Sequence, residues 1–340
     1  MRDLLVVGGG PAGLATALYA ARAGLDVEVL EPHDGVLDKA CGEGLMPGAL
    51  TRLADLGVDP HGHGLRGISY HGGGRTAVAD FSAGLGRGVR RTTLHAALRD
   101  AVAAAGVTVT GRTARIVRQD DDAVDVDGTR ARHVVAADGL HSPVRRSLGL
   151  AQTPARRRRY GLRTHLSTAP WSDHVEVHWA RDAEAYVTPV GPDLVGVAVL
   201  TERRAPLQEH LRAFPELAER VAASGTGAVR GAGPLRQSSR RRVAGRVLLV
   251  GDASGYVDAL TGEGVSLGLA QAQAAVDAIV AGRPHDYERS WRRITWRYTL
   301  LTHGLLAASH LQPVRRALVP AAAAAPRLFG ATVDVLARPA

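Results

Sequence analysis

An α/β fold is predicted for this chain by three observations. A short apolar strand at the amino terminus runs into a glycine-rich turn and then a helix-forming segment. Two later apolar strands end in an Asp-Gly and a Gly-Asp pair. Between these lies a stretch of short β-rich runs with no helical periodicity.

The composition bounds what such a chain can be. Its 340 residues can bury a sizeable core, in one large domain or two interleaved ones. With 45% hydrophobic and 22% charged residues it falls among soluble globular proteins. A net charge of +9 raises nucleic acid as a partner, but nearly every basic residue is arginine and Lys39 is the sole lysine. The runs Arg156 to Arg159 and Arg240 to Arg242 lack interleaved aromatic residues. They are expected to be solvated faces, with no nucleic-acid partner. Cys41 is the only cysteine, which excludes an internal disulfide framework and any multi-cysteine metal site. The histidines are scattered without supporting ligands at recognisable spacing, so no metal is expected. The apolar start "LLVV" is too short for a signal sequence, and no run of about 18 apolar residues suggests a membrane span, so a reducing, cytoplasmic location is expected.

Taken in order, Leu4 to Val7 read as a buried strand, followed by "GGGPAGLATALYAARAGLDVEVLE". Gly8, Gly10 and Gly13 make the G-x-G-x-x-G spacing, with Pro11 and Ala12 at the start of a helix that Gly24 can end. Val27 to Leu30 form a second strand that finishes at Glu31. Strand, glycine turn, helix, strand and acid in this order form a dinucleotide site. Gly8 permits the tight turn, Gly10 lets backbone N–H groups approach a pyrophosphate, and Gly13 lets helix and strand pack closely. The helix amino end faces the phosphate charge. Glu31 can accept hydrogen bonds from ribose hydroxyls and disfavours a 2′-phosphate there. The turn alone does not separate NAD from FAD.

"VRRTTLHAALRDAVAAAG" (89–106) reads as an amphipathic helix preceded by arginine. "HVVAADGLHSPVRRSLGL" (133–150) is a buried strand ending in Asp138-Gly139. "GRVLLVGDASGYVDALTGEGVSLGLAQAQAAVDAI" (245–279) is another, ending in Gly251-Asp252 and followed by a loop with Gly262 and Gly264. A helix then begins near Val265. An aspartate at a strand end, a glycine-flanked loop and a new helix suit a polyol-phosphate ligand. Asp252 can bind ribityl hydroxyls, and the helix amino end can favour negative charge on a reduced ring.

With these three motifs in order from residue 4 to 280, the chain resembles the FAD-dependent aromatic hydroxylase (group A flavin monooxygenase) and geranylgeranyl reductase superfamily. The resemblance implies a Rossmann-like FAD-binding domain of the glutathione-reductase type, an inserted antiparallel β-sheet substrate domain and a C-terminal helical segment. It implies bound FAD, with Arg91 reaching towards its pyrophosphate. The expected limits are 1–64, 88–155 and 236–284 for the FAD-binding domain, 65–87 and 156–235 for the substrate domain, and 285–340 for the C-terminal helices. "LLTHGLLAASHLQPVRRALV" in the last segment is amphipathic. Packing onto the main domain is favoured over peripheral membrane contact.

The stretch "DKACGEGLMPG" (38–48) falls where such flavoproteins run a loop past the flavin, and "CGEGLMPG" is similar to the "CGG" loop of geranylgeranyl reductases. Cys41 is therefore a candidate proton donor or polarisable wall, against the plain alternative of a small buried hydrophobe. Lys39 is a candidate contact for the flavin phosphates. Gly42 would let a flat ring approach the backbone.

The strand "EAYVTP" stands where geranylgeranyl reductases carry Y-x-W-x-F-P and flavin-dependent halogenases carry W-x-W-x-I-P. Alternation puts Glu184, Tyr186 and Thr188 on one face, more polar than either version. Glu184 and Tyr186 join Cys41 as catalytic candidates. Where aromatic hydroxylases have a proline after the Gly-Asp motif, this chain has Ala259. Three readings follow. A monooxygenase acting on an apolar, partly oxygenated small molecule such as a polyketide, phenolic lipid or terpenoid is slightly favoured. A carbon–carbon double-bond reductase of the geranylgeranyl type is the first alternative, and a non-redox protein with structural FAD the second. No second nucleotide motif is present, so NAD(P)H is expected to bind transiently as reductant or to be replaced by a separate reductase.

Overall fold

The computed structural model describes residues 1–114, 117–153 and 157–338. The strand Arg2–Val7 lies between two parallel neighbours, Val27–Leu30 on one side and Thr129–Ala136 on the other. Thr108–Thr110 and Val247–Leu249 extend the parallel sheet at its two ends. Val243–Ala244 adds an antiparallel edge beside Val247–Leu249. Strands buried on both faces read as continuous apolar runs, and this is why "LLVV" and the "VVA" of residues 134–136 lack polar alternation, while Glu28 within "VEVL" is paired with Arg2 and Thr110. The helix Pro11–Arg22 covers one face together with Arg91–Ala104 and Gly264–Val280, in a cluster that includes Leu14, Leu18, Leu94, Leu98, Leu269 and Val276. The strands Val117–Gln119 and Val124–Val126 form an antiparallel meander on Thr129–Ala136; no motif in the sequence marked it.

The second sheet runs in the order Gly225–Thr226, Tyr160–Ser167, Leu194–Thr201, Ala183–Gly191, His174–Trp179, Gly67–Gly72, Arg75–Asp80. All its joins are antiparallel except the one between His174–Trp179 and Gly67–Gly72, where the two chain segments that build the sheet meet in parallel. One face carries Tyr70, Val177, Trp179, Tyr186 and Thr188. The other carries Ala185, Val187, Val195 and Val197 and is covered by the helices Leu207–Leu211 and Pro215–Ala223. A small sheet of Gly44–Leu45, Gly86–Gly88 and His63–Leu65 joins the two large ones.

Three helices end the chain: Tyr287–His310, Gln312–Ala324 and Pro326–Ala337. The last two lie on the Tyr186-bearing face. Val319, Phe329 and Val333 pack there with Tyr70, Trp179, Ile68 and Ala79. Among the described residues no helix is long and apolar enough to cross a membrane.

In the arginine runs Arg157, Arg158, Arg240 and Arg241 are exposed as expected, and the last member of each run is not. Arg159 is buried and paired with acids, and Arg242 lies over the Trp291 ring at 3.5 Å. Arg156 lies outside the described residues.

Candidate active site

The glycine turn sits at the carboxyl end of Arg2–Val7. Gly8 has φ of 104°, and a Cβ on Gly13 would come within 1.8 Å of the Gly8 carbonyl oxygen, so both positions are fixed by backbone sterics. A Cβ at Gly10 would meet no protein atom within 4 Å. Packing therefore does not demand glycine at Gly10, and backbone approach to a ligand does. Pro11 occupies the first turn of the helix, where its missing N–H costs nothing. Ala12 must be small because its Cβ faces Gly251 and Gly268.

Glu31 closes this turn. One carboxylate oxygen accepts from the Gly9 N–H at 2.7 Å, and the other accepts from the His33 N–H at 3.1 Å and faces the His33 ring at 2.8 Å. Burial works against its charge, but the bonds from His33 and Gly9 win and hold the carboxyl below its ordinary range. The buried His95 accepts the Leu37 N–H at Nδ1, so its Nε2 carries the proton and donates to the Gly9 carbonyl at 2.8 Å. His95 thus clamps the turn from the helix Arg91–Ala104, a role sequence reasoning missed.

Arg91 begins that helix and is buried, and its Nη1 has no hydrogen-bond partner among the described residues. Desolvation pushes its pKa down, opposed by the nearby carboxylates of Asp252, Glu43 and Asp38. Asp138 is equally poised: one oxygen accepts the Val144 N–H at 3.0 Å, the other is buried and unpartnered, and burial pushes its carboxyl up. Asp252, pushed up by burial, feels the positive charges of Lys39 and Arg91. Lys39 is exposed, and its charge reaches both Asp252 and Glu31. A buried guanidinium with a free N–H, an open glycine turn and carboxylates aligned beyond it fit a long anionic, polyhydroxylated ligand such as FAD.

Arg145, almost wholly buried, ties the two later motifs together. It donates to the carbonyls of Asp252, Ala253 and Leu140. Gly251 and Gly262 take positive φ, and Gly264 and Val265 open the helix Gly264–Val280. A cavity of about 200 Å³ lies behind this turn, bounded by Asp252, Tyr256, Gly264, Trp291 and Tyr298.

The 38–44 loop is stitched to the second sheet. The Thr188 hydroxyl donates to the Gly42 carbonyl at 2.9 Å, Asp38 pairs with Arg163, and Glu43 meets the His165 ring at 2.7 Å. Glu43 is buried with φ of 61°, and its other oxygen accepts the Arg91 N–H at 2.8 Å. The Cys41 sulfur accepts the Glu43 N–H at 3.4 Å. Burial, reinforced by the Glu43 charge, pushes the Cys41 thiol up, so the proton stays on sulfur. The sequence marked this loop by its composition and its similarity to the "CGG" loop, but not its partners, of which Arg163, His165 and Thr188 lie more than a hundred residues away.

The other two catalytic candidates have different surroundings. Glu184 is fully buried between Arg159 and Arg315, each 2.6 Å from a separate carboxylate oxygen, and Arg159 also reaches Asp258 at 3.1 Å. Both oxygens are held in ion pairs, so Glu184 joins the sheet to a C-terminal helix instead of facing a substrate as an acid or base. Tyr186 is buried and donates its hydroxyl proton to the Leu260 carbonyl at 3.1 Å.

Residues 1–281 match the FAD binding domain family. The chain is 32% identical to a menaquinone reductase of Mycobacterium tuberculosis over 327 residues, covering 85% of this chain and 78% of that protein. It is 28% identical to digeranylgeranylglycerophospholipid reductase 1 of Methanothermobacter thermautotrophicus, with 85% and 82% covered. Among solved structures, a geranylgeranyl bacteriochlorophyll reductase-like protein of Thermoplasma acidophilum superposes with a TM-score of 0.80 at 21% identity, covering 94% of this chain and 90% of that one. Klebsiella pneumoniae HpxO, complexed with FAD and uric acid, gives 0.82 at 20% identity, covering 99% and 97%.

Proposed function

The chain belongs to the FAD-binding domain family that joins aromatic hydroxylases and geranylgeranyl reductases, an FAD-dependent oxidoreductase group, and from that premise we propose that it reduces a carbon–carbon double bond in an isoprenoid lipid. The observation that carries this reading is the face of the second sheet that bears Tyr186. The monooxygenase expectation rested on a polar strand there. The charge of Glu184 is consumed by two arginines, the Tyr186 and Thr188 hydroxyls are bonded to backbone carbonyls, and Tyr70 and Trp179, with Phe329 of the helix Pro326–Ala337 packed on Tyr70, make the face aromatic. An aromatic, apolar wall suits an isoprenoid chain. The reductase names of the relatives at 28–32% identity support the same choice.

When bound and reduced, FAD would supply a hydride to one alkene carbon, and a group of this chain would have to give the other carbon a proton. We assign that proton to Cys41. Its thiol is held protonated by burial and by the Glu43 charge, whereas the Tyr186 proton is committed to Leu260. Glu43, fixed by His165 and Arg91, positions the loop.

The test is anaerobic incubation of the FAD-loaded protein with NADH or NADPH and a polyprenyl quinone or a geranylgeranyl lipid. Loss of one alkene per nucleotide oxidised is expected. Cys41→Ala should slow product formation by about 10²-fold, with flavin absorbance retained. Products that form only in air and carry added oxygen would return the assignment to a monooxygenase.

A further inference from the structure

We propose that the back face of the second sheet binds a divalent transition-metal ion through His71, Glu176 and His178. His71 and His178 are register partners across the parallel strands Gly67–Gly72 and His174–Trp179, and Glu176 points to the same face two residues before His178. The two rings stack with centroids 4.6 Å apart and planes 16° apart. One ligand atom from each of the three side chains lies within 4.8 Å of the others. This face is opposite to the one carrying Tyr186 and Thr188, so the site is separate from the flavin chemistry.

The surroundings prepare the donors. Glu176 is buried, and its Oε1 accepts the Trp171 indole N–H at 3.0 Å, leaving Oε2 towards His178 at 3.0 Å. Each nitrogen of His71 faces a hydroxyl, Ser69 at Nε2 and Thr76 at Nδ1. Whichever nitrogen takes the ion, the other keeps a partner that orients the ring. Glu216, on the helix Pro215–Ala223, adds a second negative charge facing His71.

A plain salt bridge would need one imidazole for Glu176. The second ring, stacked on the first, is not needed for that bridge, and two protonated rings at this spacing would repel each other. An ion shared by both rings and the carboxylate uses all three groups. Two imidazoles and one carboxylate suit Zn²⁺, Ni²⁺ or Co²⁺ and not Mg²⁺ or Ca²⁺. The ion would pin the one parallel join of the sheet, where the two chain segments meet.

The experiment uses the FAD-loaded full chain, stripped with a chelator and titrated calorimetrically with Zn²⁺. One ion per chain and a rise in melting temperature are expected. Glu176→Gln and His178→Asn, each retaining the flavin spectrum, should weaken binding by more than the roughly 10- to 100-fold typical of losing an outer-shell partner. No one-to-one binding, Zn²⁺ affinity unchanged in both variants, or equal affinity for Mg²⁺ would each overturn the proposal.

Discussion

Glu263 shows how one side chain sets a pH dependence. It stands just before the helix Gly264–Val280, and one carboxylate oxygen is buried with no partner. Burial raises its pKa from the ordinary 4.5 to about 7. The protonated acid is easy to bury and the ionised one is not. Its folded value lies above its unfolded value, so the folded state holds the proton longer, and stability falls as pH rises from about 4.5 to about 7, then levels off. Glu263→Gln removes this dependence. Melting curves of the FAD-loaded protein should show the variant more stable than wild type at pH 8, with the gap closing towards acid pH. A gap independent of pH would mean that burial of the ionised carboxylate is not what Glu263 costs. Gly13 is constrained more severely. Gly13→Ala drives a methyl into the Gly8 carbonyl, and purified variant protein should lack the visible flavin bands.

At the scale of elements, the strand Ala183–Gly191 serves both ends of the sheet. Thr188 bonds to the Gly42 loop, while Glu184 holds Arg159 and, through Arg315, the helix Gln312–Ala324. Removing one member of such a buried network leaves its partners charged and unmatched. Glu184→Gln should lower stability by about 3–5 kcal/mol in denaturant titration and leave the flavin spectrum intact. Arg315→Ala should be strongly non-additive with it. If Glu184→Gln instead abolished turnover at unchanged stability, its catalytic role would be restored.

On the whole-molecule scale, the carboxy-terminal helices form a wall against the second sheet and anchor the flavin-binding half. Tyr287 donates to the Leu249 carbonyl, Trp291 to the Ser254 hydroxyl and Tyr298 to the Asp258 carbonyl. The Ser82 N–H reaches Asp334 at 2.9 Å. Deleting 312–340 strips Val319, Phe329 and Val333 from Tyr70 and Trp179 and removes Arg315 from Glu184. Such a chain should aggregate on light scattering, or bind FAD without turning over an isoprenoid substrate. Full activity in the truncated protein would show that the wall is not part of the substrate site.

The amino-acid sequence by itself determined the α/β class and the dinucleotide turn, because the glycine spacing of Gly8, Gly10 and Gly13 and the strand-end Asp138 and Asp252 motifs are each written in a short local stretch. The start of the Arg91 helix and the alternation of Glu184, Tyr186 and Thr188 were legible for the same reason. Only the tertiary structure decided what those side chains meet. Glu184 reads as an acid on a strand until Arg159 and Arg315 close on it from distant segments. The Glu43–His165 contact, the His95 clamp, the aromatic wall and the His71–His178 pair are likewise joined across long stretches of chain. Periodicity and spacing record which way a side chain points along its own element. Partner, burial and protonation state arise from packing between elements, and these assign each charged group its chemistry.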